Sequence, residues 1–350
     1  MYRPFFPALL ILTLWPALYA GSVAAQSQEA WNTGWALYVD NDVLTPRSTD
    51  RDYTGGFSLT LSGRRAAEWP LSLQPLLGGI NHLLLPATRG SGQVLHSLET
   101  GLTVFTPEDI EQESARHEDR PYASLLYVSN TAQHVEPWRD VAWTTTLTLG
   151  VLGLDLVADL QDSFHRVIGS TEPKGWDNQI SHGGELTARY SLARQQKVFD
   201  GGWGNGLNHE TTHTLRTSVG YITDVSWGMA TRVGLLRTPW WSFNPQLVEY
   251  AEKSVPVKRA NTSELYLWGG FQIKARLYNA FLQGQFRDSE VTYARDELET
   301  FVLETWLGIT QQFRSGLRLS YVLRGQTREI SEGPASRNSI WGGVIISRAF

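Results

Sequence analysis

The chain of 350 residues contains no cysteine. That excludes a disulfide framework, a thiol nucleophile and thiolate metal sites together. Nowhere after the first 25 residues is there a run near 18 consecutive apolar residues, so membrane-spanning helices are excluded too. Excess positive charge is also missing: 30 Lys and Arg against 35 Asp and Glu leave a net charge of -5, which argues against nucleic acid as a partner. Helix-favouring runs are scarce. What is abundant is Gly (32), Trp (14) and Tyr (13), the composition of an all-β protein rich in aromatics.

The first 25 residues, MYRPFFPALLILTLWPALYAGSVAA, hold one Arg, an apolar stretch from about Phe5 to Ala20 and small residues ending at Val23-Ala24-Ala25. This reads as a cleaved secretory signal over 1–25, too short for a spanning helix. Residues 26–350 then form the mature domain. At the other end, SIWGGVIISRAF closes on Phe350, with Ile346, Val344 and Gly342 at two-residue steps before it. A last strand ending on an aromatic residue resembles the signal by which bacterial outer-membrane barrels meet their assembly machinery.

Period-2 alternation recurs between these ends. Phe57, Leu59 and Leu61 alternate with Ser58, Thr60 and Ser62; Leu186, Ala188, Tyr190 and Leu192 oppose Glu185, Thr187, Arg189 and Ser191. Segments of about ten residues with one apolar and one hydrated face suit strands crossing an outer membrane at a tilt. The expected fold is therefore a transmembrane antiparallel β-barrel. Thirteen segments have strand character, near 34–42, 55–63, 96–105, 121–131, 141–151, 184–194, 211–222, 225–237, 262–276, 278–288, 300–312, 315–325 and 340–350. A single-chain bacterial barrel needs an even number, so twelve are expected. Counting back from Phe350 puts turns 276–279 and 313–315 on the periplasmic side and 238–261 outside, while counting forward puts 238–261 inside. The failing assignment is expected between 195 and 261.

Forward counting turns the long connections 43–54, 106–120 and 152–183 to the cell exterior, and loops of this length are often functional. In the third, Val157, Leu160, Phe164 and Val167 or Ile168 recur with helical spacing, Asp155 suits a cap and Gly169 a stop. Gln161 and His165, four apart, share one face of that short extracellular helix. In the first, DNDVLTPRSTDRDYTGG at 40–56 fails as an EF-hand, because Leu44, Thr45 and Arg51 fall on ligand or turn positions. The alternative is two antiparallel strand ends side by side at the rim. Oxygens of Asn41, Asp42 and Thr54 with backbone carbonyls then make a hard site suited to Ca²⁺.

DNDVLTPRSTDRDYTGG, EDRPYASLLY and HRVIGSTEPKGWDNQ, taken with LYNAFLQGQF at 277–286 and the closing strand, resemble the outer-membrane lipid A 3'-O-deacylases over nearly the whole mature chain. The resemblance implies a twelve-stranded barrel whose site lies between barrel wall and loop helix. It also implies Ca²⁺-dependent removal of the 3'-linked acyloxyacyl group of lipid A in the outer membrane of Gram-negative bacteria, with lipopolysaccharide and membrane lipids as partners. By motif, His165 matches the catalytic His and Gln161 its neighbour, while Asn41, Asp42 and Thr54 match the cluster at the ion. The family's Lys has no counterpart between 64 and 120, so either Arg120 substitutes or the role is unfilled.

Ester hydrolysis without Cys or a G-x-S-x-G elbow points to water as nucleophile. His165 would take its proton at neutral pH, and Ca²⁺ would polarise the carbonyl. Arg47, Arg51 and Arg120 are candidates for substrate phosphate. Two other readings stand beside this one. NGLNHETTH at 205–213 resembles the His-x-Ser-Asn segment of serine-type outer-membrane phospholipases, although Glu210 and Thr211 follow His209 where the serine is needed. A small porin-like barrel without enzymatic activity is the other.

Overall fold

The computed structural model describes residues 29–45, 52–85, 92–157, 173–248 and 262–350. The signal expected over 1–25 lies outside them. Twelve antiparallel strands run in order: β1 Gly34–Asn41, β2 Asp52–Ser62, β3 Gln93–Thr106, β4 Ala123–Glu136, β5 Val141–Leu152, β6 Glu185–Gly202, β7 Asn208–Gly220, β8 Ile222–Leu235, β9 Glu264–Asn279, β10 Phe301–Gln312, β11 Leu317–Gln326 and β12 Ser339–Ala349. Each pairs with its sequence neighbours, and β1 pairs with β12, with Tyr38 opposite Ile345, so the sheet closes on itself and has no edge. Among the described residues the connections include the helices α1 Arg64–Glu68, α2 Gln74–Leu84 and α3 Ala280–Gln283.

Twelve of the thirteen expected segments are strands, and the thirteenth, 278–288, is not. The error falls outside the window 195–261. Tyr278 and Asn279 finish β9, and the Asn279 side chain then accepts from the Phe281 amide at 3.1 Å, capping α3. Gly284, at φ +69°, ends that helix. The Asn cap and Gly stop were helix signals within an otherwise strand-like pattern. No turn therefore exists at 276–279, and the connection 236–263 lies at the rim that carries the chain ends, as the forward count has it.

The alternation sorts the wall into two faces. Outward are Leu215, Trp227, Leu267, Ile273, Leu307, Ile309 and Leu319, all exposed. An exposed apolar belt of this extent is the mark of a lipid-facing barrel. Inward, the charges are paired: Glu304 takes both Lys274 at 2.7 Å and Arg324 at 2.6 Å, and Glu210 takes Arg232 at 2.6 Å. Residues 236–248 fold up into the lumen. Gln133 of β4 donates to the Trp241 carbonyl at 3.0 Å, Gln195 of β6 to that of Phe243 at 2.9 Å and Arg324 of β11 to that of Pro245 at 3.0 Å. Towards the opposite rim, Tyr53, Phe105, Tyr127, Tyr221, Phe281 and Trp341 form one aromatic layer. The barrel interior is a core, not a channel.

Glu304 is fully buried between two cations. Replacing it by Ala brings Lys274 and Arg324 together without their shared carboxylate, and truncation of a buried ion partner costs about 3–5 kcal/mol. Glu304→Ala is expected to lower the unfolding free energy of the micelle-bound barrel, measured by urea titration, by that amount, and Glu304→Gln by less.

Candidate active site

Asn41 and Thr54 meet on the outside of the wall, with Asp42 next in the chain, and a bulge turns Thr54 that way. In β2, Asp52 pairs with Thr106 and Tyr53 with Phe105, but Gly55 pairs with Val104, so Thr54 is the extra residue. Asp52 adopts φ +69° as the strand begins. Tyr53 consequently turns inward, its ring 5.5 Å from Phe105 and 5.3 Å from Trp341. Thr54 turns to the outer face, where its hydroxyl shares a 2.5 Å hydrogen bond with that of Thr106. On β1 the alternation that sends Tyr38 and Asp40 inward sends Asn41 outward. The Asn41 amide nitrogen donates to the Thr54 carbonyl at 2.7 Å.

Asn41 also caps the next turn. Its Oδ1 accepts from the Val43 amide at 2.7 Å, opening the 3-10 turn Asp42–Leu44, within which Asp42 is buried. The turn lies against Gly342 of β12, where a Cβ would overlap the Leu44 carbonyl. Tyr321 of β11 donates to the same carbonyl at 2.7 Å. Four strands thus fix one short turn. The sequence placed Asn41 and Thr54 side by side, as the structure does, and did not name Thr106. Period 2 on β3 could have found it, because Thr106 shares the outward face of Leu102 and Val104.

Beside this cluster the wall is roofed by loops. Outward-facing Val104 packs with Ile110 and Tyr122 of the β3–β4 connection and with Val157 and Trp176 of the β5–β6 connection. The Tyr122 and Trp176 rings lie 4.8 Å apart. Ser124 of β4 donates to Gln179 at 3.1 Å, and Gln179 donates to Asp155 at 3.3 Å. Helical structure starts at Leu156–Val157, where the sequence predicts it, although the Asp155 carboxylate is also held by His182 at 3.3 Å. Val104 and Thr106 are two residues apart on one strand face, roughly 7 Å by strand rise. The helix therefore begins next to the Asn41–Thr54–Thr106 cluster. Gln161 and His165 lie outside the described residues, as do Arg47 and Arg51.

The family model described as outer membrane protein LpxR matches residues 5–350. The chain belongs to that family. The solved structure of LpxR from Salmonella typhimurium superposes with a TM-score of 0.71 at 16% identity, covering 91% of this chain and 100% of that one, which establishes the shared barrel fold. The β domain of the Bordetella autotransporter BrkA (TM-score 0.43, 10% identity, 91% and 100% covered) and the COG4313 outer membrane channel of Pseudomonas putida (0.41, 10%, 94% and 100%) are barrels too different in shape to bear on the site. No curated protein sequence matches the chain. As outer membrane barrels of the LpxR family keep short turns and chain ends in the periplasm, the Asn41 rim faces the cell exterior.

Arg120 does not join the cluster on the outer wall. It is buried, its guanidinium 4.4 Å from the centre of the inward-facing Phe105 ring and 3.0 Å from Glu329. Glu329 also takes Arg276, while Arg337 binds both Asp52 and Asp119 at 2.8 Å. This network, which the sequence did not reveal because its members are far apart along the chain, caps the lumen over the aromatic layer. Tyr293, donating to the Asp119 carbonyl at 3.1 Å, is pushed up to about 12, first by burial and then by Asp119.

For a metal, the chemistry of the donors is the test. Among the described residues no group of three or more His, Asp and Glu is arranged to hold one. The rim instead offers the Asn41 amide oxygen, the single carboxylate of Asp42 and the paired hydroxyls of Thr54 and Thr106. All are hard oxygen donors, which fits Ca²⁺ rather than a transition metal.

Burial alone would raise the Glu329 carboxyl, but Arg120 and Arg276 outweigh it and hold it below the ordinary 4.5. A lowered carboxyl gives stability that is complete above pH 4.5 and is lost as the pH falls through the folded value. Near-ultraviolet circular dichroism of the aromatic layer should therefore stay constant from pH 7 to 5 and decline only below 4.5. Glu329→Gln should weaken the signal between pH 7 and 5 and converge on the wild-type signal at the acid end.

Proposed function

We propose that this protein hydrolyses the 3'-linked acyloxyacyl ester of lipid A in the outer leaflet, with His165 as the base that activates water. The observation that carries the reading is the outward-facing Asn41–Thr54–Thr106 cluster at the outer rim of an LpxR-family barrel, beside the first turn of the loop helix. A site on the outside of the wall meets its substrate within the leaflet, so no lipid has to enter the lumen. Lipid A and the surrounding membrane lipids are then the partners. Assembly-factor recognition through Phe350, exposed beyond β12, completes that list.

The chain's own groups divide the work. His165 accepts the proton of the attacking water and returns it to the leaving sugar alkoxide. Gln161, four residues earlier in the chain, orients the water. Asn41, held by its two backbone hydrogen bonds, keeps its amide oxygen and the start of the Asp42 turn fixed. Ca²⁺ bound by Asn41, Asp42 and Thr54 would supply Lewis-acid polarisation of the ester carbonyl. Arg47 and Arg51 are the remaining candidates for a substrate phosphate, since Arg120 is committed to Glu329.

The competing readings have less support. His209 stacks on Trp203 at 4.8 Å by the β6–β7 turn, at the periplasmic end of the wall, far from an outer-leaflet ester. A porin needs an open lumen, and this one is crossed by residues 236–248 and filled by ion pairs.

His165→Ala and Asp42→Ala are each expected to cut deacylation by at least about 10²-fold while leaving a heat-modifiable barrel, read by mass spectrometry of lipid A from an expressing host. Activity retained in purified His165→Ala protein would overturn the assignment. Thr106→Val removes the hydroxyl that holds Thr54 and should cost about tenfold, the worth of one lost hydrogen bond. A calcium chelator should silence the wild-type protein and calcium should restore it.

A further inference from the structure

The periplasmic connection between β2 and β3 does not hang below the barrel; it climbs the outside of the wall. On β4, Thr131 and Gln133 line the interior, as do Thr144 and Thr146 on β5. The residues between them, Asn130, Ala132, Thr145 and Leu147, therefore face outward. These are the residues α2 touches. Leu77 is fully buried against Ala132 and Leu147. Asn81 donates to the Thr145 hydroxyl at 2.8 Å and accepts from Tyr190 of β6 at 3.1 Å. Asn130 accepts from the Leu73 amide at 2.7 Å and donates to the Ala66 carbonyl at 2.9 Å and the Ser72 hydroxyl at 3.1 Å. Asn and Thr on a lipid-facing wall are costly unless satisfied. Here the helix satisfies them, and the wall in turn takes up amides at the helix start.

The contact residues Ala132 and Thr145 lie four residues from the periplasmic ends of their strands. Strand rise and barrel tilt put them roughly 10 Å up the wall. At that height the free side of the helix is almost wholly apolar, with His82 in its last turn and the half-buried Gln74 as the polar exceptions. Leu71, Leu76, Leu83 and Leu84 are each more than half exposed. Between Leu71 and Leu85 there is no Asp, Glu, Lys or Arg. Gly78 and Gly79 leave a flat strip between Leu76 and Leu83, and a Cβ at either would meet nothing within 4 Å. A helix apolar on its wall face and its flanks belongs in a membrane or under a partner. Its exposed leucines continue the apolar belt of Leu126 and Leu149 on the same strands, which lipid already covers.

We infer that α2 is an interfacial membrane helix, embedded against the barrel at the headgroup–acyl boundary of the periplasmic leaflet, with phospholipid acyl chains on Leu76, Leu83 and the glycine strip. The surface is independent of the ester chemistry at the opposite rim and stands whether or not that chemistry is right. It gives the protein a second lipid contact, with phospholipid of the inner face, on the same wall.

Because the chain has no cysteine, single-cysteine variants carry one nitroxide each. Leu76→Cys and Leu83→Cys, labelled and reconstituted into phosphatidylethanolamine–phosphatidylglycerol vesicles, should show high collision rates with oxygen and low rates with a water-soluble nickel complex. They should match Leu307→Cys on the outer wall of β10 and reverse the pattern of Ser315→Cys in the β10–β11 turn. The Ser315 pattern at both helix positions would overturn the inference, as would exclusion of both reagents, which marks a protein partner or a second copy. Should a helix variant fail to insert, Leu71→Cys in the preceding turn reads the same environment.

Discussion

The whole arrangement depends on one inserted residue. Along β2, a regular pleat would send Tyr53 into lipid and Thr54 into the aromatic layer, since a shift of one position exchanges the two faces of a strand. The bulge between Tyr53 and Gly55 corrects the phase at the rim only. Below it, Phe57 and Leu59 keep to the lipid side and Ser58 and Thr60 to the interior. Above it, Tyr53 joins Phe105 and Trp341, and Thr54 is free to bond Thr106 and receive Asn41. A polar cluster on the outer face of a membrane wall is thus obtained without disturbing the apolar belt beneath it.

That cluster can be rigid because the interior behind it is solid. A pore would leave the rim supported by strand pairing alone. Here the aromatic layer closes the outer end, and Glu329 and Arg337 tie the 327–338 connection to Arg120, Asp119 and Asp52 above it. The network reaches the site through β2 itself, since Asp52 is two residues from Thr54. Buried ion pairs are poor sources of net stability, and their more general use is to specify one arrangement. Their location between the loops and the site-bearing strand suits that use.

Much of this was legible from the chain. Alternation gave the barrel, its two faces and twelve of its strands, because closure forces every strand to obey one period. That Asn41 and Thr54 lie side by side was legible because they flank a single hairpin, where sequence neighbours become spatial neighbours. The misjudged stretch 278–288 shows the limit of periodicity, as a four-residue helix is too short to display its own period and only Asn279 and Gly284 mark it. Arg120 shows another limit. Its motif EDRPYA fixed that it matters, but its direction depends on Glu329, 209 residues away. The inward fold of 236–248 and the outward climb of α2 were equally invisible, since each is decided by partners on three distant strands.

The barrel's use of its surfaces inverts that of a channel. A porin works through its lumen and leaves its outer wall to featureless contact with lipid. Here the lumen is spent on ion pairs and aromatic packing, and the outer wall carries the polar groups that have work to do: Asn41, Thr54 and Thr106 at one height, Asn130 and Thr145 at another. The wall beside the first set is roofed by the β3–β4 and β5–β6 connections, and the second set is covered by α2. The proposed substrate, itself a membrane lipid, would account for the preference, because a wall-side site keeps acyl chains in hydrocarbon while the polar head meets the rim.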